Sequence, residues 1–331
     1  MRRLFFFTSV LLLAGACGSK SPDISHIQVN LAVQRLDLEL NEAAEKSPLV
    51  FRRVLADHEE LLPYYVYELI GIRTPPDSLY ADLFSFFREP DIIELCDSVR
   101  KAFPNERLKS TEQIETAFRY LNYYIPDYPI PELVYFLFGF NYVAVPLEDR
   151  LYFALDQYLG PNSMFLAHLP LYMRVRRTPE YIAPDALKAW LTLEFQPEKE
   201  DYETLLDHMV HQGRVQYALN LLFPEVHDTI IFGFTAAELK FCKDNTFMMW
   251  GHLLEKNLLY ENDPSTVQKL LGEGPFTPGL PQETPGRAFV YLGRDIVQRY
   301  VERQKEFDLH AVLTERPKEI LFQSNYRPQK P

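Results

Sequence analysis

Two histidines, His208 and His211, stand three residues apart in "TLLDHMVHQGRVQYALNLL" (204–222), with Asp207 beside them. Imidazole and carboxylate groups on one helix could ligate a metal ion and activate water for hydrolysis. A zinc-peptidase helix does this with His-Glu-x-x-His, because a spacing of four turns both rings toward one ion. Here the spacing is three, Met209 follows the first histidine, and His-Glu-x-x-His occurs nowhere in the chain. A different metal site could add Asp207, His227, His252 or Glu255 as ligands. The competing reading makes His211 a solvated histidine beside Asp207 and His208 a partly buried one. At about 100° per residue, Tyr202, Leu205, Leu206, Met209, Gly213, Tyr217 and Asn220 share the face that meets the core. Gly213 lies in the middle of that face. A glycine there costs roughly 0.5–1 kcal/mol against alanine, which close approach of another backbone would offset.

Other chemistries find less support. There is no G-x-S-x-G elbow, no phosphate-binding loop and no G-x-G-x-x-G. "LGEGPFTPG" follows a helical pattern and leads to prolines, so it reads as a loop. Asp149 and Asp156 have no spacing that demands acid–base work and read as structural. Tyr64, Tyr65, Tyr67, Tyr120, Tyr123, Tyr124 and Tyr128 could form a glycan-binding surface or pack a helical core. Cys96 and Cys242 sit in helical patterns and read as small, semi-buried residues; one disulfide between them is the alternative. No cofactor is expected.

The elements that must position these residues are mostly helical. "HIQVNLAVQRLDLEL" alternates and predicts a strand over 27–38. Helical patterns follow, broken near Leu62-Pro63, and Ser110 with Gln113 suggests a capping box. "ELVYFLFGFNYVAV" and "RLYFALDQYLG" are rich in aromatic and β-branched residues and predict two buried strands. Helices are expected over 183–195, 202–222, 235–259, 264–271 and 285–304. Thr235 with Glu238 forms a capping box, while Asp263-Pro264 and Thr284-Pro285 each place a cap before a first-turn proline. The fold class is α+β, predominantly helical, with a small sheet, in a single domain over 27–331.

The chain has 331 residues, 47% of them hydrophobic, enough for a sizeable core. A net charge of −12 argues against nucleic acid as a partner. Residues 1–16 carry two arginines and then an apolar run, "LFFFTSVLLLAGA", too short to span a bilayer and fitting a secretory signal. Cys17 follows Ala14-Gly15-Ala16 as in a lipoprotein signal, although Ala14 stands where leucine is usual. Lipidated Cys17 would then anchor the chain to membrane through a tether over 17–26. No aspartate follows Cys17, which favours the outer membrane, with the body facing the periplasm.

Three stretches carry a family resemblance: "LDQYLG" (155–160), "MVHQGRVQY" (209–217) and "GPFTPGLPQETPGRAFVYLGRDIVQRY" (274–300). Within them stand Asp156, Gly160, Gly213, Tyr217, Pro285, Gly286, Arg287, Gly293 and Tyr300. Together with "RLD" at 35–37, these resemble the gliding-motility lipoprotein GldB family of Bacteroidetes. The resemblance implies an envelope lipoprotein that contacts other proteins of the motility and type IX secretion machinery, with no known reaction. The 209–217 helix is also similar to the third-ligand helix of predicted zinc peptidases, with Gln212 at the glutamate ligand position. "DALKAWLTLEF" (185–195) would then be the helix that has lost its histidines. This second similarity implies a degenerate zincin-like scaffold, a pseudoenzyme. A metal-dependent hydrolase and a peptidoglycan-binding or glycan-binding envelope protein are the alternatives. Arg287 falls in the first turn of the expected 285–304 helix, where a cation opposes the dipole by about 0.3–1 kcal/mol. It should therefore pair with a carboxylate or a partner.

Overall fold

A computed structural model describes residues 21–330 apart from 70, 72, 74 and 138–142. Cys17 and the signal segment lie outside the described residues. The chain opens with β1 (Val33–Arg35), followed by α1 (Leu36–Lys46), α2 (Pro48–Leu55), α3 (Leu61–Tyr64), α4 (Leu79–Phe86), α5 (Pro90–Ala102) and α6 (Lys109–Tyr124). Then come β2 (Glu132–Phe136), β3 (Ala144–Leu147) and β4 (Arg150–Ala154). The second half is helical: α7 (Leu171–Arg174), α8 (Ile182–Glu194), α9 (Leu205–Leu222), α10 (Asp228–Phe232), α11 (Ala236–Asp244) and α12 (Thr246–Glu255). It ends with α13 (Pro264–Leu271), α14 (Ala288–Val301), α15 (Leu309–Thr314) and α16 (Pro317–Ser324).

The sheet runs β1-β2-β4-β3, as expected for an α+β chain with few strands. β1 and β4 lie parallel to β2, and the edge strand β3 is antiparallel to β4. The two-residue turn between β3 and β4 has Glu148 in the left-handed region (φ 52°). β2 and β4 are buried along nearly their whole length, which explains their continuous apolar runs. Their register pairs Val134 with Tyr152 and Tyr135 with Phe153.

One apolar cluster joins this sheet to the early helices, α8 and the second half of α9, through Val215, Ala218, Leu219 and Leu222. A second joins the first half of α9, through Leu205, Leu206, Met209 and Val210, to the helices after 230. α9 therefore serves both clusters and is buried nearly all round. A helix in that position shows no single apolar stripe, so the expected core face of 202–220 describes only part of its contacts. α14 crosses α9 where Gly213 meets Gly293. A Cβ on Gly213 would lie 2.2 Å from the Gly293 carbonyl carbon, and one on Gly293 would lie 2.1 Å from the Met209 carbonyl oxygen. The expected close backbone approach at Gly213 is therefore present.

Several expected boundaries move. The strand expected over 27–38 is only Val33–Arg35, and helix α1 begins at Leu36. Leu36, Leu40, Ala43 and Ala44 give a helical apolar face there. The "RLD" motif marks this junction. Buried Arg35 makes two bonds to Asp37 (2.8 and 2.7 Å) and donates to the Phe103 and Asn105 carbonyls. The stretch expected as one strand over "ELVYFLFGFNYVAV" holds both β2 and β3. The helix expected at 235–259 divides at Asn245, and α15 and α16 are additional. Leu108, with its N–H donating to the Thr111 hydroxyl, starts α6 in place of Ser110. Thr235–Glu238 and Asp263 cap α11 and α13 as expected. Of the seven tyrosines, Tyr65 and Tyr128 are buried and only Tyr123 is exposed, so most of the group packs the core. Cys96 and Cys242 are buried, unpaired and in different clusters.

Candidate functional site

Helical spacing places Asp185, Lys188, Ala189 and Thr192 along one side of α8. That side lines a cleft of about 480 Å³, walled on another side by Val143, Ala144 and Pro146 at the β3 edge. Its volume lies within the range of ligand-binding clefts, about 300–1,000 Å³. Two loops bring further charge. Arg176 and Arg177 follow α7, and Glu273 and Arg287 flank the proline-rich loop before α14.

That loop is held by its own polar groups. The Thr277 hydroxyl donates to the Pro285 carbonyl (2.5 Å), and the Thr277 N–H donates to the Thr284 carbonyl (3.0 Å). Gly286 lies so close to Gly274 that a Cβ would meet the Gly274 carbonyl oxygen at 2.2 Å. Pro285-Gly286-Arg287 thus precedes the helix. Thr284 is not its cap: α14 starts at Ala288, with Arg287 in the left-handed region (φ 65°). This backbone conformation turns the Arg287 guanidinium onto the Glu273 carboxylate (3.1 Å) and the Phe232 carbonyl (3.2 Å). The carboxylate expected for Arg287 is therefore Glu273, which also accepts from Arg176 (2.6 Å). Burial would raise the Glu273 carboxyl, but Arg287, Arg176 and Lys188 overcome it and hold the group at about 2.

Across the cleft, the Tyr158 hydroxyl donates to Asp185 (2.7 Å), and the Arg177 guanidinium lies 5.9 Å from the Tyr158 ring centre. The Gly160 N–H donates to the Arg177 carbonyl (2.9 Å), with Gly160 at φ +91°. The "LDQYLG" motif thereby positions both Tyr158 and the Arg177 backbone, while Asp156 is buried at the end of β4. Half-buried Lys188 has no ion-pair or hydrogen-bond partner among the described residues. Burial, then Arg287, lower its ammonium to about 8, against the pull of Asp185 and Glu273.

The histidines of α9 lie elsewhere. His211 is fully buried, which corrects its expected solvated position. Its Nε2–H donates to the Thr192 carbonyl (3.0 Å), and its Nδ1 accepts from Arg214 (3.1 Å). Burial and the Arg214 charge lower it to about 3. Asp207 caps α9, accepting from the Thr204 N–H (2.9 Å) and hydroxyl (2.7 Å). His208 is half-buried, as expected, with its ring centre 3.9 Å from that of Tyr202. His227 caps α10, and His252 lies against Gly279. No group of three or more metal-ligating side chains forms among the described residues. Gln212 opens on a second cleft of about 610 Å³ with Tyr202, Glu203 and His208, away from the Asp185 side of α8. Tyr217 is half-buried near Phe307, and buried Tyr300 ends α14 in the second cluster.

A pH prediction follows from His211. Its pKa is about 3 when folded and about 6.5 in an unfolded chain. The unfolded chain therefore binds more protons below about pH 6.5, so stability falls with falling pH from there toward 3. The slope from this group is up to about 1.4 kcal/mol per pH unit. His58 and His208, also lowered by burial, add to the same window. Denaturation between pH 6.5 and 4.5 should show this loss, with a shallower slope in His211→Gln. An unchanged slope would contradict it.

Sequence reasoning did not single out Arg176, Arg177, Tyr158, Asp185, Lys188 or Glu273 as site residues. Two signals were available. "YMRVRR" is a dense basic run in an acidic chain, and Tyr158 and Glu273 stand inside or next to family motifs.

Together these features define a mostly helical α+β protein with a charged cleft between α8, the β3 edge and the loop before α14. The chain belongs to the GldB family: the family model described as "Gliding motility protein GldB" matches residues 17–328. It is accordingly a gliding-motility-associated lipoprotein of the cell envelope. No curated protein and no solved structure matches the chain.

Proposed function

We propose that this chain is a non-enzymatic component of the gliding and type IX secretion machinery, held at the outer membrane by lipidated Cys17 and facing the periplasm. It acts by contacting other envelope proteins. His211 carries this reading over the metal-hydrolase alternative. Both of its ring nitrogens are engaged, by Thr192 and Arg214, and the ring is fully buried. A metal ligand needs a free ring nitrogen. In the α8 cleft, Glu273 is held ionised between two arginines, far from the pKa that suits a general acid at neutral pH.

Complementation of a strain lacking the protein tests the anchored role. Cys17→Ala is expected to leave the motility or secretion defect uncorrected while the protein still accumulates in the envelope fraction. Full rescue by the unlipidated form would overturn the anchor. Elemental analysis of protein purified without chelator addresses the alternative, and stoichiometric zinc would favour a hydrolase.

A further inference from the structure

The α8 cleft carries an excess of positive charge. Arg176, Arg177, Lys188 and Arg287 face two carboxylates, Asp185 and Glu273. The two carboxylates are occupied: Glu273 binds Arg176 and Arg287, and Asp185 accepts from Tyr158. Lys188 and Arg177 are left with no carboxylate partner among the described residues. In a chain of net charge −12 this is a local reversal of sign. A cleft lined by one sign of charge focuses the field and concentrates ligands of the other.

The cations are set in an apolar frame. Val143, Pro146, Met173, Leu193 and Ile230 line the same cleft. Leu193 is 52% exposed, and Leu171 and Val175 beside Met173 are 64% and 48% exposed. A free oxyanion would use the charges and leave this surface wet. A peptide would use both, its carboxylate meeting Lys188 and Arg177 and its apolar side chains covering the rim.

We propose that the α8 cleft binds a peptide segment of a partner protein in which an acidic residue stands next to apolar ones. The carboxylate is taken by Lys188 and Arg177, while Glu273 stays paired with Arg176 and Arg287. The depressed ammonium of Lys188 is consistent with this, since an incoming carboxylate restores its charge partner.

The proposal deepens the protein-contact reading and rests on it, but the two fail separately. Complementation reports on the role in the cell, whereas peptide binding is read on purified protein. An array of random decapeptides is probed with the detergent-solubilised lipidated protein. Binders are expected to be enriched in Asp or Glu beside apolar residues. In solution, Lys188→Met and Arg177→Gln should each weaken them about tenfold or more, which is about 1.4 kcal/mol, with unchanged thermal unfolding. Binders without acidic enrichment, or wild-type binding by either variant, would overturn the proposal. So would complete displacement of the peptides by millimolar inorganic phosphate with no dependence on the apolar residues, which would reassign the cleft to a small oxyanion.

Discussion

Gly213→Ala is expected to destabilise the protein by about 1–2 kcal/mol, although alanine is the better helix former. Intrinsic propensity favours alanine by about 1 kcal/mol. The added methyl, however, would lie 2.2 Å from the Gly293 carbonyl carbon, 2.5 Å from the Arg294 nitrogen and 2.6 Å from the Gly293 oxygen. All three are backbone atoms, so no flexible side chain can give way and α14 must move as a unit. Overpacking of this kind costs about 1–3 kcal/mol and occasionally more. α14 carries Phe289, Val290, Leu292, Ile296 and Val297 into the second cluster, so its displacement spreads the loss. Gly251 in α12 provides the control, because an added Cβ there has nothing within 4 Å. Gly251→Ala is expected to gain up to about 1 kcal/mol. Denaturant midpoints measured in parallel should therefore move in opposite directions. A stabilised Gly213→Ala would mean that the helices do not cross this closely.

Arg214→Met should cost about 3–5 kcal/mol. The Arg214 guanidinium is 1% exposed and makes no ion pair with a carboxylate among the described residues. It donates instead to the Phe195 carbonyl (2.9 Å), the Glu315 carbonyl (2.8 Å) and His211 Nδ1. Phe195 and Glu315 are the C-caps of α8 and α15. Carbonyls at helix C-termini lack intrahelical partners and carry the negative end of the dipole, so a cation there is favourable. Burial lowers the guanidinium to about 10, which still leaves it charged at neutral pH. Methionine keeps much of the stem but leaves the carbonyls without their donor. Each buried acceptor left without its donor costs about 1–3 kcal/mol, so two carbonyls and a ring nitrogen together lose about 3–5 kcal/mol. The same change removes the positive charge that depresses His211, so the acid sensitivity between pH 6.5 and 4.5 should also weaken. A loss below about 1 kcal/mol in denaturant unfolding would count against this account.

The two variants probe different kinds of information. Gly213 was legible in the sequence because a glycine inside an apolar helical face is a local anomaly with few physical explanations. Arg287 was legible for a similar reason, as a cation expected at a helix N-terminus, and it pairs with Glu273. Its exact setting was not, because the left-handed conformation of Arg287 and the contact of Gly286 with Gly274 depend on how the loop folds back. His211 shows the limit most clearly. Its neighbour in sequence, Asp207, suggested a solvated pair, yet Asp207 is used in the helix cap and His211 turns to α8.

The sequence by itself determined the helix-rich α+β class, the buried character of the strand segments, several helix caps and the family. All of these rest on periodicity, local capping chemistry or contiguous motifs, which act over a few residues. Only the tertiary structure decided the burial of His211 and Arg214, the short reach of β1 and the existence of the cationic cleft. Arg214 finds its acceptors 19 and 101 residues away, and Arg176 meets Glu273 across 97 residues. Pairings over such distances are set by which helices pack together, and they leave no periodic trace in the chain. α9 is the clearest case: two apolar clusters surround it, and His211 and Arg214 are buried where the ends of α8 and α15 offer carbonyls.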